Sequence, residues 1–211
     1  GIFQNQAEID AHVNSKGEKL QPNAQPGDVI FVNTNNDDAI NEGDKVKIGK
    51  GTPDWTYGFN LQAAWKNFDF SMLISGSIGN DIFDATRRVD LEPVNLPKEM
   101  MDRWHGEGTS NSMPRFSWKN NNDNYRLSDL YVKNGTYMRL KNIQLGYKLP
   151  ESLTTKVFIS SLRIYVAAEN LLTITGYKGF DPEISYDKSA GIDRGIYPQA
   201  RTITLGFNLN F

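Results

Sequence analysis

The sequence predicts an all-β chain that supplies antiparallel strands to a transmembrane barrel, and three observations predict it. Five segments alternate apolar and polar residues with a period of two, as strands with one apolar and one polar face do. The connections between them alternate short and long, like the turns and loops of a membrane barrel. The apolar row is aromatic near its ends, at Tyr57, Trp65, Phe68, Tyr147 and Phe211, where a barrel carries its interfacial girdles.

Residues 1–55 read as an extracellular loop region. Pro22, Pro26, Gly27, Gly43, Gly49, Gly51 and Pro53 break any long element, leaving a short helix over Ala7–Val13 and a short strand over Val29–Val32. Residues 56–211 read as five barrel strands with two long external loops. In the first strand Tyr57, Phe59, Leu61, Ala63 and Trp65 share a face opposite Gly58, Asn60, Gln62 and Ala64. Lys66-Asn67 makes a tight turn into the second, where Phe68, Phe70, Met72, Ile74 and Ile78 oppose Asp69, Ser71, Ser75 and Ser77, and Leu73 breaks the pattern. The stretch from Gly79 to Gly135 is a long loop, with a short helix over Pro97–Trp104. Alternation returns at Tyr137. Ile143, Leu145, Tyr147 and Leu149 form the apolar row, but Arg139 and Lys141 then fall on it, which places the upper part of this strand above the membrane. After a turn at 150–160, Leu162, Ile164, Val166 and Ala168 alternate with Arg163, Tyr165, Ala167 and Glu169. Residues 175–200 form the second long loop. The last strand alternates most cleanly, with Ile203, Leu205, Phe207, Leu209 and Phe211 on one face.

Composition narrows the function. The 211 residues hold 38% hydrophobic residues, and no run approaches the roughly 18–20 consecutive apolar residues of a membrane helix. A barrel strand needs no such run, because only alternate residues meet lipid. Net charge is −2, so nothing predicts nucleic-acid binding. There is no cysteine, which removes disulfides and thiolate metal sites. His12 and His105 are the only histidines, too little material for a histidine metal site or triad, and the chain is expected not to be an enzyme. Gly1-Ile2-Phe3 has none of the charged-then-apolar pattern of an export signal, so the chain is expected to be processed or part of a longer one.

A soluble β-sandwich alternates in the same way, with its apolar face turned to a core. The strand lengths favour the barrel. About 10 residues at roughly 3.3 Å each and a tilt near 40° span about 25 Å, the height of an outer-membrane apolar band. Five strands do not close a barrel, since an open edge in lipid leaves backbone groups unpaired. The remaining strands are therefore expected upstream of Gly1.

Several runs carry a family likeness. They include Gly1-Ile2-Phe3-Gln4 with Glu8-Ile9, Pro26-Gly27-Asp28, Pro53-Asp54-Trp55-Thr56-Tyr57-Gly58-Phe59 and Gly79-Asn80-Asp81-Ile82. Arg103-Trp104-His105-Gly106-Glu107-Gly108-Thr109 through Met113-Pro114-Arg115 follows, then Tyr137-Met138-Arg139-Leu140-Lys141-Asn142, Ala168-Glu169-Asn170-Leu171 and Tyr197-Pro198-Gln199-Ala200-Arg201. In combination they resemble the C-terminal end of the SusC/RagA family of TonB-dependent outer-membrane transporters. The resemblance implies a 22-stranded barrel with an N-terminal plug, of which this chain supplies the last five strands. It also implies TonB, acting through a part absent from this sequence, a SusD-like lipoprotein as lid, and oligosaccharide or peptide cargo. A soluble β-rich glycan-binding or adhesion module is the alternative.

Five groups of residues are site candidates. Asn33, Asn35, Asp37, the Ala39 carbonyl and Asp44 have calcium-loop spacing, with Ile40 as the apolar eighth position. The copy is degenerate, because Asn33 replaces the first carboxylate, Asp38 stands at the glycine position and Asp44 is shorter than the usual glutamate. Possible Ca²⁺ is therefore weighed against a metal-free Asx turn, which is favoured. Trp104, His105 and Arg115 are candidate cargo or lid contacts, weighed against the internal packing of a long loop, again favoured. His105 with Glu107 is a thin acid/base pair, lacking a nucleophile or a metal. Arg87 and Arg88 suit lipopolysaccharide phosphate or an anionic cargo, although solvated loop charge is the plainer reading. Phe207, Leu209 and Phe211 end the last strand on an aromatic, resembling the signal read by the barrel-assembly machinery.

Overall fold

The computed structural model describes residues 1–86, 98–117, 119, 121–155, 158–184 and 191–211. The chain forms two compact units. One comprises Gly1–Ile48 and the described residues of Arg87–Tyr131; the other comprises Gly49–Thr86 and Val132–Phe211.

The strands lie in the second unit. In chain order they are β1 (Trp55–Trp65), β2 (Phe68–Ile78), β3 (Asp81–Asp84), β4 (Val132–Asn134), β5 (Tyr137–Lys148), β6 (Ser161–Thr175), β7 (Ile192–Asp193) and β8 (Thr202–Asn210). An antiparallel sheet has the order β1-β2-β5-β6-β8, and a small sheet has the order β4-β3-β7. All five predicted strands are present. The fourth segment of the reading, expected to end near Glu169, continues as β6 to Thr175.

Register explains why the alternation is so regular. Leu61, Met72, Ile143, Ala168 and Ile203 lie in one row across the five strands. Ala63, Phe70, Leu145, Val166 and Leu205 make the next, followed by Trp65, Phe68, Tyr147, Ile164 and Phe207. Cross-strand pairs of this kind contribute roughly 0.2–1 kcal/mol each over alanine pairs. The Phe68 and Tyr147 rings sit 4.7 Å apart at 45°. A slip of one residue would turn a whole strand over, so these rows fix the pairing.

Among the described residues the apolar rows do not meet a second sheet. Trp65, Leu145, Val166, Leu205 and Phe207 are all exposed, Leu205 by 78%. A soluble sandwich would bury them, and among the described residues nothing does. Among those residues no helix is long and apolar enough to cross a membrane, which leaves open a crossing by strands.

The upper part of β5 corrects the sequence reading. The β2–β5 register shifts between Leu73 and Ile74, and β5 skips Lys141. Above this bulge Leu140 pairs with Ile74 and with Leu172, and Met138 pairs with Gly76 and Ile174. The apolar row therefore continues upward through Leu140 and Met138. Arg139 joins the polar row of Ser75 and Thr173 instead of the apolar one. One extra residue changes which face each later side chain takes. The misfit that moved this part of the strand above the membrane is thus a bulge. Leu73 remains on the polar face, opposite Asn60 and Asn142.

In the first unit the predicted helix is Gln6–Ala11, shorter than Ala7–Val13 at its end. Asn5 caps it, its side chain accepting from the Glu8 N–H at 3.1 Å. The expected strand at Val29–Val32 is reduced to a single bridge between Val29 and Ile2. Pro26 and Gly27 lead straight into it, and the chain forms side-chain hydrogen bonds there instead of a ladder. The helix expected over Pro97–Trp104 is a 3₁₀ turn at Lys98–Asp102; Pro97 lies outside the described residues. Phe3, Ile9 and Ala24 form the small core, with Ile30 packed against it.

Candidate functional site

Two faces of one sheet define the region with functional chemistry. The polar face carries the rows Asn60, Leu73, Asn142, Glu169, Thr202 and Gln62, Ser71, Gln144, Ala167, Thr204. Below them, Asp69 on β2 and Arg163 on β6 form an ion pair that passes over Gly146 on the strand between. A Cβ on Gly146 would collide with both partners, so glycine is what lets the pair close. The Arg163 guanidinium also lies 5.0 Å from the centre of the Tyr165 ring.

Higher on the same face is a four-member cluster. Arg139 donates through Nε to Thr173 Oγ1 at 3.0 Å, through Nη1 to Glu183 Oε2 at 2.8 Å and through Nη2 to Asp181 Oδ1 at 2.6 Å. Lys141 Nζ donates to both Glu183 oxygens, at 2.6 and 2.8 Å. Arg139 and Asp181 are buried. Burial opposes ionisation of Asp181. The Gln199 N–H, the Arg139 guanidinium and the Glu183 N–H outweigh it and hold the carboxyl below the ordinary carboxylate range. Nearby, the Tyr177 hydroxyl donates to Asp193 Oδ2 at 2.5 Å. Burial, followed by that hydrogen bond and the Asp193 charge, pushes the Tyr177 phenol well above its ordinary value. The sequence reading missed Asp181, Glu183 and Asp193. The one signal for the cluster was two cations on a row of apolar residues.

The five calcium-loop candidates do come together, but amides occupy their carboxylates. Asp37 Oδ1 accepts the Ala39 N–H at 2.9 Å, and Oδ2 accepts from Asn35 and Asn41 at 2.8 and 2.7 Å. Asp44 accepts the Thr34 N–H and the Asn41 N–H, both at 2.7 Å. Asn33 Nδ2 donates to the Asp37 carbonyl at 2.6 Å, while Asn33 Oδ1 is buried without a partner. It is the one side-chain oxygen of the five candidates that accepts no hydrogen bond. The Ala39 N–H, ahead of the Asn41 and Asn35 amides, holds the Asp37 carboxyl below its ordinary value. The Asn41 N–H does most of the same for Asp44.

Trp104 and Arg115, both half-buried, come together against Gly27 in the first unit. Arg115 Nε donates to Asp28 Oδ1 at 2.7 Å and Nη2 to Oδ2 at 3.3 Å. Asn124 and the Gln25 N–H, each at 2.9 Å, complete the partners of an Asp28 that has no solvent exposure. Gly27, at φ +92°, lies against the Trp104 ring and Arg115, where a Cβ would not fit. Trp104 Nε1 donates to Gln4 Oε1 at 3.2 Å. Trp104 and Arg115 are therefore engaged by Gln4, Gly27 and Asp28 of the N-terminal segment, not by the interior of their own loop alone. His105 is exposed and its ring contacts the Arg103 carbonyl, whereas Glu107 accepts from Asn5, so the two form no pair. Arg87 and Arg88 lie outside the described residues. Phe207, Leu209 and Phe211 stand on the open side of the sheet, Phe211 exposed by 87%. Among the described residues no group of three or more His, Cys, Asp or Glu side chains could hold a metal ion.

No family model matches the chain. It is 35% identical to "TonB-dependent receptor P3" of Formosa agariphila over 91% of its own length and 20% of that protein's. It is 29% identical to "TonB-dependent receptor SusC" of Bacteroides thetaiotaomicron over 90% of this chain and 18% of that one. Among solved structures, it is similar to a chain of the RagAB peptide importer in its open-open state. That match has a TM-score of 0.59 and 28% identity, and covers 76% of this chain and 17% of the other. The closed-closed state shares the fold at a TM-score of 0.58 and 24% identity. The chain spans about a fifth of the length of the curated relatives it matches.

Proposed function

The chain is a homologue of the TonB-dependent receptors, SusC and RagA among them, and from that premise we propose that it forms part of the wall of an outer-membrane importer. The carrying observation is the set of apolar rows that cross all five strands and remain exposed on one side. On this reading those rows meet lipid, and the polar rows look into an aqueous lumen. The two ends of the sheet, β1 and β8, then pair with further strands to complete a closed barrel of 22, because lipid tolerates no open edge. The long connections face outward, where a SusD-like lipoprotein closes over them, and TonB acts on a part outside this chain. The cargo is an oligosaccharide or peptide; the match to a peptide importer supports the second. Phe207, Leu209 and Phe211 serve barrel assembly.

Expression of residues 1–211 alone, without detergent, tests the barrel reading. Insoluble or unfolded product is expected, and a soluble folded monomer would return the chain to the glycan-binding or adhesion class. Import itself is tested by deleting the gene for the whole receptor and following uptake of peptides and oligosaccharides. For the 33–44 turn we propose closure by amides, with Ca²⁺ as a weak competitor at Asn33, Asn35, Asp37, Ala39 and Asp44. Calorimetric titration is expected to give a Kd weaker than about 1 mM, below the range of regulatory calcium sites.

A further inference from the structure

The connection between β6 and β8 does not simply leave the sheet. Tyr177, Asp181 and Ile184 are buried, and Ile184 packs with Ile82 and Tyr177. Asp181 is the hub. Its Oδ1 accepts from Arg139 and from the Glu183 N–H at 2.8 Å, and its Oδ2 accepts the Gln199 N–H at 2.9 Å. The first and last parts of the connection are thereby tied to each other and to the polar face. Two cations, Arg139 and Lys141, meet two anions, Asp181 and Glu183, so the cluster is neutral as a whole.

The bulge is what makes this arrangement possible. Without the extra residue at Lys141, Arg139 would fall on the apolar row, as simple alternation requires. With it, both cations reach the polar face and bind carboxylates from the connection. Removing Arg139 leaves the buried Asp181 charge without its cation, which costs far more than losing a surface pair. Resting on the lumen assignment made above, we propose that Tyr177–Ile184 is a strap locked onto the inner wall by Arg139 and Lys141, narrowing the lumen on the long-loop side. Release of the strap, with the strands unmoved, is the motion that widens this part of the passage.

The whole receptor, in isolated outer membranes, provides the test. Trypsin cleavage after the exposed Lys178 reports on the strap, and heat-modifiable electrophoretic mobility reports on the barrel. Arg139→Gln and Lys141→Glu are each expected to speed that cleavage by about tenfold or more, since cleavage tracks the population of the opened segment. Lys141→Arg, which keeps the cation facing Glu183 and adds no trypsin site to the strap, is expected to stay within about twofold of the parent. Unchanged cleavage in both Arg139→Gln and Lys141→Glu, with barrel mobility intact, would overturn the strap. So would cleavage in Lys141→Arg as fast as in Lys141→Glu. If Arg139→Gln does not assemble, the two Lys141 variants decide alone. A parent receptor without heat-modifiable mobility would instead refute the barrel assignment.

Discussion

Asp28 illustrates how much one buried carboxylate can organise. It has no contact with water, and its oxygens take N–H groups from Arg115, Asn124 and Gln25. Arg115→Met removes the charge but keeps much of the length. The expected loss is about 3 kcal/mol, the lower end for a broken buried pair, because Asn124 and Gln25 still donate. Hydrogen exchange of the peptide spanning Gln25–Asp28 in the whole receptor should then speed up by about a hundredfold. The carboxylates of Asp37, exposed, and Asp44, half-buried, behave differently. Hydrogen bonds, first from the Ala39 N–H for Asp37 and from the Asn41 N–H for Asp44, hold them below the ordinary carboxylate value in the folded state. A lowered value means that the stabilisation is complete above the unfolded value and is lost as pH falls through the folded one. The 33–44 turn should thus be unchanged from pH 7 down to about pH 5 and loosen well below pH 4. Carbon-13 NMR of labelled aspartates checks this, and a midpoint at or above the ordinary value would contradict it. The clustering of the five turn candidates was legible from Asx spacing. The Asp28 and Arg115 partnership was not, although Pro26-Gly27-Asp28 and Pro114-Arg115 were both noticed, because nothing local says that two loops 87 residues apart share a charge.

At the scale of the strand, alternation carried most of the prediction. It works because the period of the side chains is two, so apolar and polar residues sort onto opposite faces. Leu205 and Thr204 are neighbours in β8 on opposite faces, pairing with Val166 and Ala167. Leu205→Arg should cost about 2–4 kcal/mol if that row meets hydrocarbon near its middle. Thr204→Arg, facing water, should cost less than about 1 kcal/mol. Urea unfolding of the whole receptor in lipid vesicles distinguishes the two, and equal costs would argue against the assignment of faces. What alternation could not supply was the bulge. A period of two is read within one strand, whereas a bulge is a mismatch between two. Arg139 and Lys141 marked the place without showing that the face had changed. Asp181 and Glu183 were hidden for the same reason, since only the third dimension brings them to β5.

At the largest scale, the five-stranded sheet of the second unit has an apolar face, a polar face and two open ends. Its hydrogen-bonded order stops at β1 and β8, each paired on one side among the described residues. In a closed barrel both edges find partners; in isolation they are templates for association. Residues 1–211 alone should therefore aggregate through these edges, seen as rising light scattering that detergent reduces, while the whole receptor stays dispersed. The bulge at Lys141 has a consequence for how such sequences change over time. Parity decides whether a residue of β5 falls on the apolar or the polar face, so gains and losses of single residues above that point exchange the two populations wholesale. Insertions and deletions there should survive in even numbers, or else arrive together with a second one that restores the count.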